Sequence, residues 1–301
     1  MKKIKAFRKY LEQQYYAVAT IEMYCRYALD FLTYLDKEGL QENEVRYKEI
    51  EVYFFQLKES RSLGLSKRML LAVRHYYDSL ELKKNPASGI YIKQSRRSIL
   101  SGVMSFEKLK QVHKNYETKS NRAKRNKVIL GLLIYQALRS GELQKLRVDH
   151  VKIGEHKIEI LAGRKTNGRI LELDAAQLLE LQEYILVVRR ELLADVRSIR
   201  AGRSPAQIDP LIKEKLFFSE RGSLEIKNSL KHMFRVLQKT NPSISSAKVI
   251  RSTVIANWLK TRDIRKVQYM CGHRYVSSTE RYNAYNLEEL KDQLRKYHPL
   301  K

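Results

Sequence analysis

The chain has 301 residues, 43% of them hydrophobic, which suits two domains with a buried core and excludes general disorder. Its 59 Lys and Arg against 33 Asp and Glu give a formal charge of +26, a field that attracts polyanions, of which nucleic acid is the commonest, although a ribosome- or membrane-associated protein also fits. Two cysteines, Cys25 and Cys271, exclude a disulfide framework and a zinc site and suit a reducing cytoplasm, while no apolar signal core or transmembrane-length run follows the basic Met1–Lys9 segment.

In chain order, Thr20 to Gly39 places Ile21, Tyr24, Ala28, Phe31, Leu32 and Leu35 at helical spacing. Tyr47 to Glu59 and Ser66 to Leu82 predict two further helices, and Asn85-Pro86 ends the last because the residue before proline resists helical geometry. Gly89 to Gly102 is rich in Lys, Arg, Ser and Gln and lacks amphipathic rhythm, reading as a basic linker, either a strap around a polyanion or a merely solvated connector. Ser105 and Glu107 open a helix through Val112, and Asn126 to Ser140 predicts an apolar helix that delivers Arg139 at its C-terminal end. Lys157–Leu161 and Arg169–Leu173 alternate polar and apolar around the basic turn Gly163–Gly168, a β-hairpin signature. Ala175 to Val196 returns to helix, Ser198 to Pro210 reads as a surface loop, Leu216–Ser219 is strand or loop, and helical patterns continue to the end. No internal repeat is visible.

The charge is uneven. Residues 1–104 hold 19 basic and 12 acidic residues, a net of +7, whereas 105–301 hold 40 and 21, a net of +19. In this second part stand Arg139-Ser-Gly-Glu142, Lys165, Lys248-x-x-Arg251, Gly272-His273 and Tyr282. Arginine clamps phosphate through its planar fork, and tyrosine is one of the side chains that form covalent intermediates. Taken singly, each residue has an ordinary explanation: an exposed ion pair for Arg139 and Glu142, a solvated turn for Lys165, packing for Arg251 and His273. Tyr282 is one of 19 tyrosines, with Tyr275 and Tyr285 as near competitors.

As an ordered set these residues resemble the tyrosine recombinase (phage-type integrase) family. Leu138-Arg139-Ser140-Gly141-Glu142-Leu143 reproduces its arginine box, Gly163-Arg164-Lys165 stands where its hairpin lysine is expected, and Lys248-Val249-Ile250-Arg251 is similar to its His-x-x-Arg box. Gly272-His273, Thr279 and the nine-residue step from His273 to Tyr282 match the last box. Ala19-Thr20-Ile21 with Tyr24 and Phe31, and Asn85-Pro86-Ala87, look like the family's core-binding domain. Lys248 departs from the usual histidine, and the chain also lacks the common histidine after Arg251, which changes the detail of proton handling.

The resemblance implies a mainly α fold with a small β-sheet: a helical, SAM-like core-binding domain over 1–88, a linker over 89–104 and an α+β catalytic domain over 105–301 with a C-terminal tail helix. It implies a site-specific recombinase acting on double-stranded DNA through a 3′-phosphotyrosine and a free 5′-hydroxyl, for integration and excision of a mobile element, inversion or dimer resolution. Arg139 and Arg251 would hold the scissile phosphate, and His273 would add a hydrogen bond. Tyr282 would attack, Lys165 would protonate the leaving oxygen, and Lys248 would support the phosphate or take the phenol's proton. Glu142 would orient Arg139. No metal or other cofactor is expected. The protein is expected in the cytoplasm, working as a homo-oligomer on DNA that forms a tetramer in the synaptic complex, with Leu287, Leu290 and Leu294 of the tail packing on a neighbour or on its own domain. The core-binding pattern begins within the first twenty residues, which favours a recombinase acting on short sites. The alternatives are a type IB topoisomerase-like enzyme and a catalytically degenerate DNA-binding accessory protein, the latter kept open by Lys248.

Overall fold

Apolar residues at helical spacing, punctuated by a few capping side chains, set the elements of the computed structural model, which describes residues 2–82, 84–93, 104–201 and 210–285. The chain divides into two compact units, Met1–Ser98 and Ile99–Lys301.

The first unit is helical: α1 (Lys2–Gln13), α2 (Val18–Lys37), α3 (Tyr47–Ser60) and α4 (Leu63–Asp78). Its core joins Phe7 and Leu11 to Phe31, Leu35, Ile50, Phe54, Val73, Tyr76 and Tyr77. α1 was not expected from the sequence, because only Phe7 and Leu11 of its twelve residues are buried and the rest is dominated by charge. Beyond α4 the chain turns at Asn85, whose Oδ1 accepts from the Ala87 amide at 2.9 Å while its Nδ2 donates to the Arg74 carbonyl at 2.9 Å. Arg74 in turn donates to the carbonyls of Ala87 and Ile90. Ile90 and Ile92 are buried in this core, so the unit runs past the expected boundary at residue 88 into the segment read as linker. The rest of that segment, residues 202–209 and the residues from 286 on, where Leu287, Leu290 and Leu294 stand, lie outside the described residues; of the surface loop expected over Ser198–Pro210, residues 198–201 are the end of a helix and Pro210 opens a 3-10 turn.

The second unit is built round two helices buried on nearly all sides, α6 (Asn121–Tyr135) and α11 (Ala247–Thr261). Against them pack α5 (Phe106–Lys114), α8 (Ala175–Glu183), a π turn (Tyr184–Val188) and α9 (Arg189–Ala201), with α7 (Ser140–Lys145), α10 (Lys227–Thr240), α12 (Ile264–Cys271) and α13 (Ser277–Glu280) completing the set. Side chains cap several starts: Ser105, Ser120, Asp174 and Asp263 each accept from an amide in the first turn they precede, as short polar side chains do at helix N-termini. The sheet is three-stranded and antiparallel, β1 (Val151–Lys152), β2 (Lys157–Ile160), β3 (Arg169–Glu172), with Ile158 opposite Leu171 and Ile160 opposite Arg169. This is the mainly α fold with a small sheet expected from the sequence.

One further expectation changes and one open alternative is decided. The apolar helix ends at Tyr135, not Ser140, because Ala137 takes a left-handed conformation (φ 49°) and the chain restarts as α7. Leu216–Ser219 is loop, its start held by a single bridge between Arg147 and Lys215 and by the Leu216 amide on the Leu146 carbonyl at 3.0 Å. Among the described residues no helix is long and apolar enough to cross a membrane.

Leu133 lies fully buried on α6. Leu133→Ala is expected to cost about 2–5 kcal/mol, through lost transfer energy and the cavity left behind. Denaturant unfolding checks this, and an unchanged midpoint would contradict the placement of α6 at the centre of the core.

Candidate active site

The left-handed turn at Ala137 places Arg139 at the start of α7, half-buried, with no capping bond from its side chain. The expected pairing of Glu142 with that guanidinium is not what forms. Glu142 Oε2 instead accepts from the Arg139 backbone amide at 2.9 Å, and the carboxylate takes a two-pronged bond from Arg169 (NH1 to Oε1 2.9 Å, NH2 to Oε2 3.0 Å). The reason is geometric. α6 does not continue through Arg139, so Glu142 lies in the first turn of a new helix, where a carboxylate reaches back to the amide before it. Burial works against the charge on Glu142, but the Arg169 guanidinium and the Arg139 amide outweigh it and hold the carboxyl below the usual range. Arg169 Nε completes its own set on the Met270 carbonyl at 2.8 Å.

Arg251 stands in the second turn of α11 and is buried. It donates to the carbonyl of Ala137, to the carbonyl of Cys271 at 2.8 Å and to His273 Nε2 at 3.1 Å. Burial lowers its pKa, yet a guanidinium keeps its charge throughout the physiological range. Burial also pushes the neighbouring Cys271 thiol up to about 11, so it stays protonated at neutral pH. α12 ends at Gly272 in the left-handed region (φ 60°), where a Cβ would lie 2.5 Å from Arg169 NH1. Glycine is needed there both for the turn and for the approach of Arg169. The next residue, His273, is buried, and its Nδ1 lies 2.8 Å from Thr279 Oγ1. Burial, followed by the charges of Arg251, Arg139, Arg281 and Arg169, depresses the imidazole to about 3. It is neutral at physiological pH.

The hairpin turn is closed by reciprocal bonds between Gly163 and Thr166 (3.0 and 3.3 Å), which leave Arg164 and Lys165 exposed at its tip. The turn is tied to the histidine segment by a bridge between Thr166 and His273 and by the Asn167 amide on the Gly272 carbonyl at 3.1 Å. Lys165 is thereby carried to the rim of the Arg251–His273 cluster. Lys248 is exposed in the first turn of α11, three residues before Arg251. Tyr282 follows α13, and its amide donates to the Thr279 carbonyl at 3.0 Å. Its ring lies parallel to His273 (9°, centroids 6.1 Å apart) and also stacks on Tyr285 at 6.1 Å. Tyr275 is 67% exposed and takes no part in this stack.

Among the described residues His273 stands against both Arg251 and Tyr282, Arg139 is near enough for its charge to act on Arg251 and His273, exposed Lys165 adjoins the Thr166 that bridges to His273, and exposed Lys248 lies one helical turn before Arg251. Arg169 was missed in the sequence. The signal was present: on β3 it falls in phase with inward-facing Leu171, and a charge on the apolar face of a strand requires a buried partner. Among the described residues no group of three or more His, Cys, Asp or Glu side chains is placed to hold a metal ion.

Two outcomes follow from these contacts. Glu142→Gln leaves the Arg169 charge uncompensated and is expected to destabilise the fold by about 3–5 kcal/mol, with much of that recovered by adding Arg169→Met. Unfolding of the single and double variants checks this, and additive losses would show that the two side chains act independently. For His273, the unfolded chain takes up a proton as pH falls below the ordinary 6.5, while the folded chain resists until about 3. Stability is therefore lost as pH falls through that window, and His273→Asn should flatten the loss; an identical acid slope in the variant would contradict it.

The chain is similar to several known proteins. Residues 102–289 match the phage integrase family. The chain is 26% identical over 275 residues to tyrosine recombinase XerC of Histophilus somni (86% of each chain) and 22% identical over 310 residues to that of Lacticaseibacillus casei (99% of each). Among solved structures, the XerH site-specific recombinase in its post-cleavage complex is similar at a TM-score of 0.69 and 17% identity, over 92% of this chain and 79% of that one. A lambda integrase dimer bound to a core site is similar at 0.62 and 10% identity, over 93% and 94%. The family match over residues 102–289, more than half of the chain, shows that the chain belongs to the phage integrase family and is a tyrosine recombinase.

Proposed function

We propose that this protein cuts and rejoins double-stranded DNA at specific sites through a 3′-phosphotyrosine carried by Tyr282. The observation that carries the assignment of the nucleophile is the parallel stack of Tyr282 on His273, a histidine that is itself bonded to Arg251. Arg139 and Arg251 hold the non-bridging oxygens of the scissile phosphate and stabilise charge as it builds, the electrostatic preorganisation that commonly dominates catalysis. Arg251 enters the reaction with its orientation already fixed by two backbone carbonyls. Glu142 acts on Arg139 through the backbone amide and on the cluster through Arg169.

The Tyr282 oxygen forms a bond to phosphorus as the bond from phosphorus to the 5′-oxygen breaks. Lys165, at the tip of the docked hairpin, delivers a proton to that leaving oxygen. The phenolic proton goes to solvent, and exposed Lys248 supports the phosphate as a cation. One phosphodiester is exchanged for another, so a 5′-hydroxyl from a partner strand reverses the step and the ester's energy is kept.

DNA as the partner is supported by charge and by shape. Lys227, Lys231, Arg235 and Lys239 recur every four residues along the exposed side of α10, opposite buried Leu230, Met233, Phe234 and Leu237. Such a ridge tracks a phosphate backbone. The XerH and lambda integrase structures hold DNA, and the latter is a dimer. Exchange of both strands of two sites breaks four strands, and one nucleophile per chain makes the working assembly a tetramer.

Tyr282→Phe is expected to abolish DNA that stays attached after denaturing pull-down of the tagged protein from its host cells, while gel-shift binding stays at the wild-type level. Attachment by the variant would transfer the nucleophile to Tyr275 or Tyr285. Absence of attached DNA with the wild-type chain would favour the non-catalytic alternative.

A further inference from the structure

His273 has two ring nitrogens, and the structure gives each a different neighbour. Nε2 lies 3.1 Å from Arg251 NH2. A guanidinium has donors and no acceptor, so Arg251 donates and Nε2 accepts through its lone pair. A neutral imidazole carries one ring proton, which must then sit on Nδ1, 2.8 Å from Thr279 Oγ1. Thr279 is fully buried, at a position three residues before Tyr282. The charged and titratable groups that face the ring are Arg251 of α11, Arg139 at the start of α7, Arg169 of β3, and Arg281 and Tyr282 beyond α13.

We propose that Thr279 is the positioning residue for His273: its hydroxyl holds the ring proton on Nδ1 and so reserves Nε2, the nitrogen turned to Arg251, for the scissile phosphate. This rests on the reading of His273 as a phosphate ligand. Beside Arg251, Nε2 is a lone-pair acceptor. An arriving phosphate offsets the surrounding guanidinium charge, and Nε2 takes one proton from hydronium in solvent, leaving water. The new Nε2–H donates to a non-bridging oxygen. The Nδ1 proton stays between the ring and Thr279 throughout, and the ring's charge rises by one. Without the Thr279 hydroxyl, Arg251 still favours a bare Nε2, but the Nδ1–H is then unpaired in a buried site, and that cost works against the Nδ1–H form, so the ring no longer holds it alone.

The first test uses the full chain without DNA: nitrogen-15 NMR of labelled histidine side chains at neutral pH, with His273 assigned by difference against His273→Asn. The expected wild-type spectrum shows a protonated Nδ1 and a bare Nε2. Thr279→Ser keeps that state and Thr279→Val loses it. A wild-type ring protonated on Nε2, or an unchanged pure Nδ1–H form in Thr279→Val, overturns the proposal. The second test uses the duplex recovered by trapping. Thr279→Val is expected to lower covalent attachment about tenfold, the rate equivalent of one lost hydrogen bond, with Thr279→Ser restoring it. In the His273→Asn background Thr279→Val should have no further effect, and an equal loss there would show that Thr279 acts on packing and not through the histidine. Absence of any covalent product with wild type overturns the recombinase reading and the phosphate half of this proposal, whereas the tautomer measurement decides the role of Thr279 alone.

Discussion

The candidate site depends on a buried guanidinium whose plane is fixed by the protein itself. Arg251 is held by two backbone carbonyls, those of Ala137 and Cys271, and by a histidine nitrogen. An arginine has five N–H donors, so these three partners lock its plane while leaving donors for an anion. Carbonyls satisfy a buried cation without neutralising it. A paired carboxylate would cancel the charge that a phosphate needs. The positive potential shows in the histidine beside it, driven toward about 3 by burial and by four arginines.

Around that cation the chain arranges three distant segments. The turn between α6 and α7 supplies the Ala137 carbonyl and Arg139, the end of α12 supplies the Cys271 carbonyl and His273, and the hairpin supplies Lys165. The Glu142–Arg169 pair ties the first segment to the third and, through the Met270 carbonyl, to the second. Among the described residues the carboxylate nearest the cluster, Glu142, is paired with Arg169, and neither Arg139 nor Arg251 forms an ion pair of its own. The two buried helices, α6 and α11, give these segments a rigid base, as catalytic geometry requires.

The candidate site residues are legible in the sequence, and much of their support is hidden. Arg139, Arg251, His273 and Tyr282 stand out because their order and spacing are specific as a set, and the hairpin is visible because alternation and a Gly-rich turn are local signals. The break at Ala137 was not legible, since nothing in Tyr135-Gln136-Ala137-Leu138 forbids helix; the left-handed residue is held by the tertiary bond from its carbonyl to Arg251. From that one miss followed the wrong partner for Glu142, because three residues on a continuing helix and three residues into a new one point differently. Arg169 was overlooked for the opposite reason: its phase on the strand was visible, but a partner 27 positions away was not. In the first unit, α1 buries too little apolar surface to stand out from its own charge.

The claim on which the account rests is that one phenol, at position 282, becomes the link between protein and DNA. Its most direct measurement is tandem mass spectrometry of covalent complexes from cells after nuclease and protease digestion, locating the residue that carries the nucleotide. The account requires the adduct on Tyr282, joined through a 3′-phosphate. An adduct on Tyr275 or Tyr285, or one joined through a 5′-phosphate, would contradict it.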